Sequence, residues 1–491
     1  MKKFAGWVGG VVVLVGVYTA SAYWIGQESA KKYHQFLNQV SDEYQLAVRN
    51  ERFSSGLLES TAHTVIDLSA SGFFKRMTPE QQLKLRESPN RFINLNHRIS
   101  HGPLAVATNN VAPALAVIKT TVDWTPEQSE ILKTIFADEN PLEITTVIGF
   151  DGDSNSHISI AEIHQNNNGV KVDWSGFQLD LLVNKDGDSA EYTFSSSELF
   201  ASFDKGVFNV KNIHGSGDLI RSNSYFWNGD SVLNIESFEI NPIDKKNHPV
   251  KINMANFAMN TSQTMNNDLF NISNRITLEK LKLPEFDMHA GVFDMEFNNL
   301  DYETFSELQE AQEVLAANPN MTEEQRQAQL TMNMFSMVPK LLSKSPEINV
   351  NELSFKTDDG MGKAVLLVKY QAEDNTPVNF SGPNAIMMQL RANLTIDVTE
   401  QLATKLAAAQ SQKQITQQLA AQGVTRTKQE IEAQSKAMVN QQIDMLAAQK
   451  LIVKEKGLLT TKVKFENANY TVNGNPANEI VEMFMGGSNG V

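Results

Sequence analysis

The chain has no cysteine at all. Thiolate catalysis and thiolate metal sites are therefore excluded, and so is a disulfide framework. Positive charge is also short: 42 Lys and Arg stand against 57 Asp and Glu, for a formal net charge of -15. That balance opposes nucleic acid or an anionic-lipid surface as the main partner. Phosphate loops and dinucleotide fingerprints are missing as well. Only one apolar run is long enough to cross a bilayer, and the rest of the 491 residues holds no second one.

That run reaches from Phe4 to Ile25 and carries no charge. About 20 apolar residues span a bilayer's hydrocarbon core as a helix. Tyr23 and Trp24 close the run, where amphipathic rings favour the headgroup boundary. Lys2 and Lys3 precede it, so the positive-inside tendency keeps the N-terminus cytoplasmic and carries the bulk across. Ala20-Ser21-Ala22 also has the small-x-small form of a cleavage site, so a removed leader is the alternative. Both readings put the body outside the cytoplasm. The retained anchor is favoured because apolarity continues through Ile25, and the bilayer is then the first partner.

Beyond the anchor, Tyr33, Phe36, Val40 and Tyr44 sit three or four apart, which predicts a helical stalk over Gln27 to Leu46. Strands are expected around Ala62 to Leu68 and Asn94 to Ile99, with a short helix or turn at Thr78 to Arg86. From about Thr145 turn dipeptides punctuate the chain: Asp151-Gly152, Asn168-Gly169, Asp186-Gly187, Asn228-Gly229, Asp359-Gly360 and Asn473-Gly474. Such pairs tolerate the positive φ of tight hairpins. Between them apolar and polar residues alternate, as in Phe177, Leu179, Leu181 and Val183 against Gln178 and Asp180. Leu390, Ala392, Leu394 and Ile396 show the same pattern, and so do Leu459, Val463 and Phe465. Strands with one wet face belong to antiparallel sheets covered on one side.

Two helical regions interrupt the strands. Thr322 with Gln325 forms a capping box that opens one, and Pro339 is expected to bend or end it. The other, Thr399 to Lys454, breaks at Gly423 and repeats Ile431, Met438, Met445 and Ile452 every seven residues, which predicts a helical hairpin. Four peptides also look alike: Ser159-Ile160-Ala161-Glu162-Ile163, Asn234-Ile235-Glu236-Ser237-Phe238, Thr277-Leu278-Glu279-Lys280-Leu281 and Asn349-Val350-Asn351-Glu352-Leu353. Their uneven spacing excludes a solenoid period and suggests similar units along one curved sheet. The predicted class is α+β: a long, curved, mostly antiparallel sheet with helical segments packed on it, preceded by one transmembrane helix. The divisions are 1–26 (cytoplasmic tip and anchor), 27–48 (stalk), 49–300 (β-rich), 301–345 (helical insertion), 346–398 (strands), 399–456 (helical hairpin) and 457–491 (C-terminal hairpin and tail).

Screening for chemistry yields little. Asp151-Gly152-Asp153-Ser154-Asn155-Ser156, with Glu162 at the twelfth place, approaches a calcium loop, but Ser156 stands where that loop needs glycine. An Asp/Asn/Ser-rich hairpin turn is the better reading. Gly486-Gly487-Ser488-Asn489-Gly490 matches a nucleophile-elbow string without a helix to follow it. His157 and His164 lack zincin spacing, and His101 beside Gly102-Pro103 reads as a turn residue. No catalytic, cofactor or metal residue is assigned.

The chain resembles the YdgA-like family of bacterial envelope proteins, which carries a domain of unknown function and includes YihF-type relatives. The resemblance rests on the anchor, then Phe53-Ser54-Ser55, His101-Gly102-Pro103-Leu104 and Ile148-Gly149-Phe150-Asp151-Gly152-Asp153-Ser154. It continues through Gly176-Phe177-Gln178-Leu179 and Tyr470-Thr471-Val472-Asn473-Gly474-Asn475. It implies a single-pass inner-membrane protein with a periplasmic body, and it supplies no reaction. Two functions remain. One is a non-enzymatic envelope factor binding apolar or lipid ligands, or an envelope protein. The other is a periplasmic hydrolase or polysaccharide-active enzyme using carboxylates such as Asp151 and Asp153.

Overall fold

A computed structural model describes residues 47–478, apart from 55–58, 71–73, 75–76, 78, 89–90, 102–113, 137–139, 168, 223–225, 243–249, 285, 318–320, 372–382, 422–423 and 425. The apolar run at 4–25, the stalk at 27–46 and the string at 486–490 lie outside the described residues. The stalk division at 27–48 overruns the first strand, which already holds Ala47 and Val48. The chain divides into two units, Met1–Val250 with Gln312–Arg326 and Lys251–Ala311 with Gln327–Val491.

In the first unit β1 (Ala47–Ser54), β2 (Glu59–Asp67), β3 (Phe92–His101), β4 (Ala116–Asp123), β5 (Leu142–Ile148) and β6 (Ser154–Ile160) each pair antiparallel with the next. β7 (Ile163–Asn167) and β8 (Val170–Trp174) form a hairpin, and β9 (Phe177–Val183) returns to β6. β10 (Ser189–Phe203) pairs with β9 along its first half and with β8 along its second. β11 (Gly206–Arg221) and β12 (Trp227–Pro242) follow in register. Short helices α1 (Pro79–Glu87) and α2 (Pro126–Ile135) interrupt this order, α2 opening on a Thr125–Gln128 capping box. The Asn228-Gly229 pair is not the turn its composition suggests. It lies within β12, where Gly229 faces Leu219 and a β-carbon would fall 1.9 Å from the Asp218 carbonyl oxygen.

Period-two alternation gives this unit a filled inner face. Ile66, Ile93, Leu95, Val122, Leu142, Ile144, Ile158 and Leu179 are 0 to 7% exposed and form one cluster. Ala62, Ile99, Ala116, Ile118 and Ile148 form a second. A polar row crosses the same face. His97 is 2% exposed, its Nδ1 lies 2.9 Å from Thr120 Oγ1 and its Nε2 lies 3.1 Å from Thr64 Oγ1. Thr146 and Ser156 hydroxyls meet at 2.9 Å. Hydroxyls on both ring nitrogens let a neutral imidazole sit in an apolar interior without an orphaned polar atom. Burial, aided by the charge of nearby His63, pushes the His97 imidazole down to about 3.

The second unit is a meander. β13 (Ile252–Asn266), β14 (Leu269–Leu283), β15 (Phe286–Asp301), β16 (Glu347–Thr357), β17 (Gly360–Tyr370) and β18 (Leu390–Thr399) pair antiparallel in chain order. β18 continues to β20 (Leu458–Glu466), whose other edge takes β19 (Val453–Glu455) and β21 (Asn469–Val472), with β22 (Asn475–Pro476) last. Helices α3 (Tyr302–Ala317) and α4 (Glu323–Ser343) are inserted between β15 and β16, and α5 (Pro383–Gln389) precedes β18. Thr322 and Gln325 form the expected reciprocal cap, but α4 runs through Pro339 to Ser343 rather than ending there. α6 (Glu400–Ala421) and α7 (Lys428–Ala448) are the predicted helical hairpin. The buried row on α7 is Ser435, Val439 and Ile443, spaced by four, and Met445 of the expected heptad row is 53% exposed. A neighbour that touches one face of a single helix selects a 3.6-residue period, not a 3.5-residue seam.

The 15- and 16-residue strands share a device that keeps their apolar side chains on one face. Asn212 (φ 48), Asn256 (φ 50) and Ala290 (φ 54) stand in the left-handed region in mid-strand. The ladder skips each one while register on both sides is retained. A residue out of the extended conformation removes one step from the two-residue alternation. The sequence makes the compensating shift at the same line. In β12, Leu233 and Ile235 give way to Phe238 and Ile240; in β13, Ile252 and Met254 give way to Phe257 and Met259; in β14, Ile276 and Leu278 give way to Leu281 and Leu283. Contacts across the break agree: Trp174, registered with Leu199 beyond it, donates from Nε1 to Ser196 Oγ before it at 2.9 Å. Met288 likewise reaches within 2.8 Å of where a Gly291 β-carbon would stand. The Asn212 amide donates to Glu236 and the Asn256 amide to Glu279, each glutamate being the residue skipped opposite. Two of the four look-alike peptides, those around Glu236 and Glu279, mark these breaks, while the one around Glu352 marks a bulge where the register of β16 shifts against both β15 and β17.

Replacing Asn256 with valine is expected to cost about 1–3 kcal/mol, because a β-branched residue resists positive φ. Asn256→Gly keeps the conformation, so its loss should stay below about 1 kcal/mol; urea unfolding of the full-length protein in detergent compares them. For His97 the unfolded chain takes up the proton near the ordinary histidine value, about 6.5, while the folded chain does so only at about 3. Stability therefore falls as pH drops below about 6.5, by about 1.4 kcal/mol per unit. His97→Gln should flatten this slope between pH 6.5 and 5, and parallel profiles for the two proteins would refute the assignment.

Candidate ligand-binding face and groove

Residues singled out by sequence are used up locally. Asp151 Oδ1 accepts the Asp153 amide at 3.1 Å, Asp153 Oδ1 accepts the Lys185 amide at 3.0 Å, and the Gly149 amide closes the turn on the Asp153 carbonyl at 2.9 Å. This is the hairpin between β5 and β6, not a helix-flanked calcium loop. His157 pairs with Asp180 at 2.8 Å on the outer face. His164 lies 3.2 Å from Asp173 and 3.5 Å from Glu162; the Asp173 hydrogen bond above all raises its pKa, desolvation opposing it and the Glu162 charge adding to it. Lys171 and His164 together hold the Asp173 carboxyl below the usual range. His101 ends β3 and pairs by backbone with Ala116. Among the described residues no group of three or more His, Asp or Glu is placed to hold a metal ion.

What the second unit does offer is an apolar sheet face left half covered. Registered pairs run across it: Met259 with Ile276, Ile276 with Phe293, Phe293 with Leu353, Leu353 with Ala364, and Ala364 with Ile396. Five strand spacings make this row roughly 24 Å wide. Among the described apolar side chains of β13 to β18 only Phe270 and Tyr370 are buried, whereas Leu353 is 45% and Ile396 39% exposed. Alternation showed which side would be apolar; it carried no signal about what covers that side. Contiguous apolar surface of this extent is uncommon on a monomer.

At one end of this face α6 and α7 close over it. Ala408, Val439, Ile443 and Leu459 form a buried cluster against which Val398, the last apolar residue of the β18 row, packs. Beside that cluster opens a groove of about 1020 Å³, walled by the β16–β17 turn, the start of α6 and the flank of α7. Its charges stand in opposite pairs: Lys405 with Asp359, and Lys436 with Glu432 at 2.9 Å. Glu400, at the α6 N-terminus, takes Lys454 at 2.6 Å, and the Thr404 hydroxyl donates to Asn440 Oδ1 at 3.4 Å. Lys436 holds the Glu432 carboxyl below its usual range, and Glu400 raises Lys454. Of these residues only Asp359 stood out in the sequence, as part of a turn pair, because the groove comes from three elements that only the fold assembles.

Among the described residues no helix is long and apolar enough to cross a membrane. No solved structure matches the chain. Protein YdgA of Escherichia coli (strain K12) is 25% identical over 393 residues, which cover 73% of this chain and 73% of that protein. An uncharacterized protein of Haemophilus influenzae is 21% identical over 329 residues, 63% of this chain and 85% of its own length. A family model described as a bacterial protein of unknown function (DUF945) matches residues 1–479. With that match running over most of its sequence, the chain belongs to this YdgA-like family of bacterial proteins of unknown function.

Proposed function

We propose that the protein is a non-enzymatic, single-pass inner-membrane factor whose periplasmic body holds the acyl chains of lipid. The half-buried row from Met259 to Ile396 carries the reading, since it presents apolar side chains across adjacent strands with no described element burying them. A filled interior, such as the one in the first unit, leaves no room for a ligand; this face does. Acyl chains suit it because burial of apolar area is non-directional and needs no built constellation of polar groups. The anchor at Phe4 to Ile25 and the basic Lys2-Lys3 tip supply the orientation. The resemblance to envelope proteins agrees with that address.

Two measurements test this. Full-length protein extracted from membranes in mild detergent is expected to retain bound lipid, read by mass spectrometry after extensive washing. Leu353→Asp, at an exposed position of the row, should lower the retained lipid at least about twofold, since an aspartate there opposes burial of a chain. Absence of lipid from the wild type would overturn the reading. For orientation, Ala433→Cys places one thiol on the exposed side of α7 in a chain that has none. Membrane-impermeant maleimide should label it once the outer membrane is opened, and labelling only after cell lysis would contradict a periplasmic body.

A further inference from the structure

We propose that the groove beside α6 and α7 seats the headgroup of the bound lipid, and that this headgroup is a zwitterion of the phosphoethanolamine kind. The inference rests on the acyl-chain reading of the adjoining sheet face and adds to it the chemistry of the polar end. The groove and the face share a wall. Ala408 lines the groove and is buried with Leu459 and against Val398, where the apolar row of β18 ends. A lipid whose glycerol lies in the groove therefore has its chains directed onto β16 to β18. The volume, about 1020 Å³, lies at the upper end of ordinary ligand pockets and leaves room for glycerol beside a small headgroup.

Charge decides between headgroups. Asp358, Asp359, Glu400 and Glu432 line the groove against Lys405 and Lys436. A headgroup bearing phosphate alone would add negative charge to a surplus of carboxylates. One bearing phosphate and ammonium adds none, and each end finds a partner: lysines for the phosphate, carboxylates for the ammonium. Asp358 is the most exposed of these carboxylates, at 87%, with His289 3.3 Å away. Both lysines are more than half exposed, so their heads can turn from their present partners toward a phosphate.

Calorimetry on the full-length protein in detergent tests the proposal with dihexanoyl phosphatidylethanolamine, dihexanoyl phosphatidylglycerol and free phosphoethanolamine as probes. The ethanolamine lipid should bind at least about tenfold more tightly than the glycerol lipid, one charge-assisted contact being worth about that factor. The combined change Asp358→Asn and Glu432→Gln, both at exposed positions, should shrink the preference to below about threefold with the unfolding midpoint unchanged. Equal affinity for the two lipids would overturn the headgroup assignment and leave the acyl-chain reading standing. Binding of neither lipid would overturn both. Free phosphoethanolamine binding as tightly as its lipid would separate the groove from the sheet face and refute the link between them.

Discussion

The two-residue alternation of a strand is the constraint on which the described structure depends. A strand of 15 residues is long enough for its two halves to part company if the backbone bends. In β11, β13 and β15 a left-handed residue in mid-strand (Asn212, Asn256 and Ala290) makes that bend, and the sequence moves its apolar residues by one place to match. Without the shift the second half of each strand would present its apolar side chains to water and its polar ones to the other side. Asparagine suits the break twice over, since it tolerates positive φ and its amide reaches the glutamate that the ladder leaves opposite. The apolar face of the second unit is continuous only because this bookkeeping is kept strand after strand.

That continuity separates the two units by what their apolar faces do. In the first, short strands bring their rows into a dry interior whose few polar residues satisfy one another, His97 between two threonine hydroxyls being the extreme case. In the second, comparable rows remain half covered, and helices close over one end alone. Polar chemistry then gathers where helix, turn and strand end meet, next to Val398. That juxtaposition of an apolar face and a charged groove is what the proposed lipid reading rests on.

Much of this was legible beforehand, for identifiable reasons. Asp186-Gly187 and Asn473-Gly474 are hairpin turns because positive φ there is a local requirement, while Asp359-Gly360 straddles its turn, with Gly360 opening β17 opposite Thr357. Asn228-Gly229 has the same composition and is strand, because fifteen residues of β11 hold β12 in register, Arg221 already pairing with Trp227. The α7 row was misplaced because Ala- and Gln-rich helices offer several weak stripes, and only the neighbour chooses among them. His97 went unremarked since a polar residue in a strand reads as facing water; its register beside Thr120 puts it inward. The recurring Ile-Glu-Ser-Phe type of peptide was visible as a likeness, but its meaning required the dihedral angles.

Gly215 and Gly217 sit opposite Phe194 and Tyr192, whose rings lie within 2.5 Å of where β-carbons would be. The rings belong to the filled side of the first unit, being packed against its inner cluster. Two absent methyl groups thus let an aromatic floor extend one strand further than it otherwise would. Gly362 under Phe355 repeats the arrangement in the second unit. The amount of greasy surface each unit displays is in this way tunable by exchanging a hydrogen for a carbon, with no strand gained or lost.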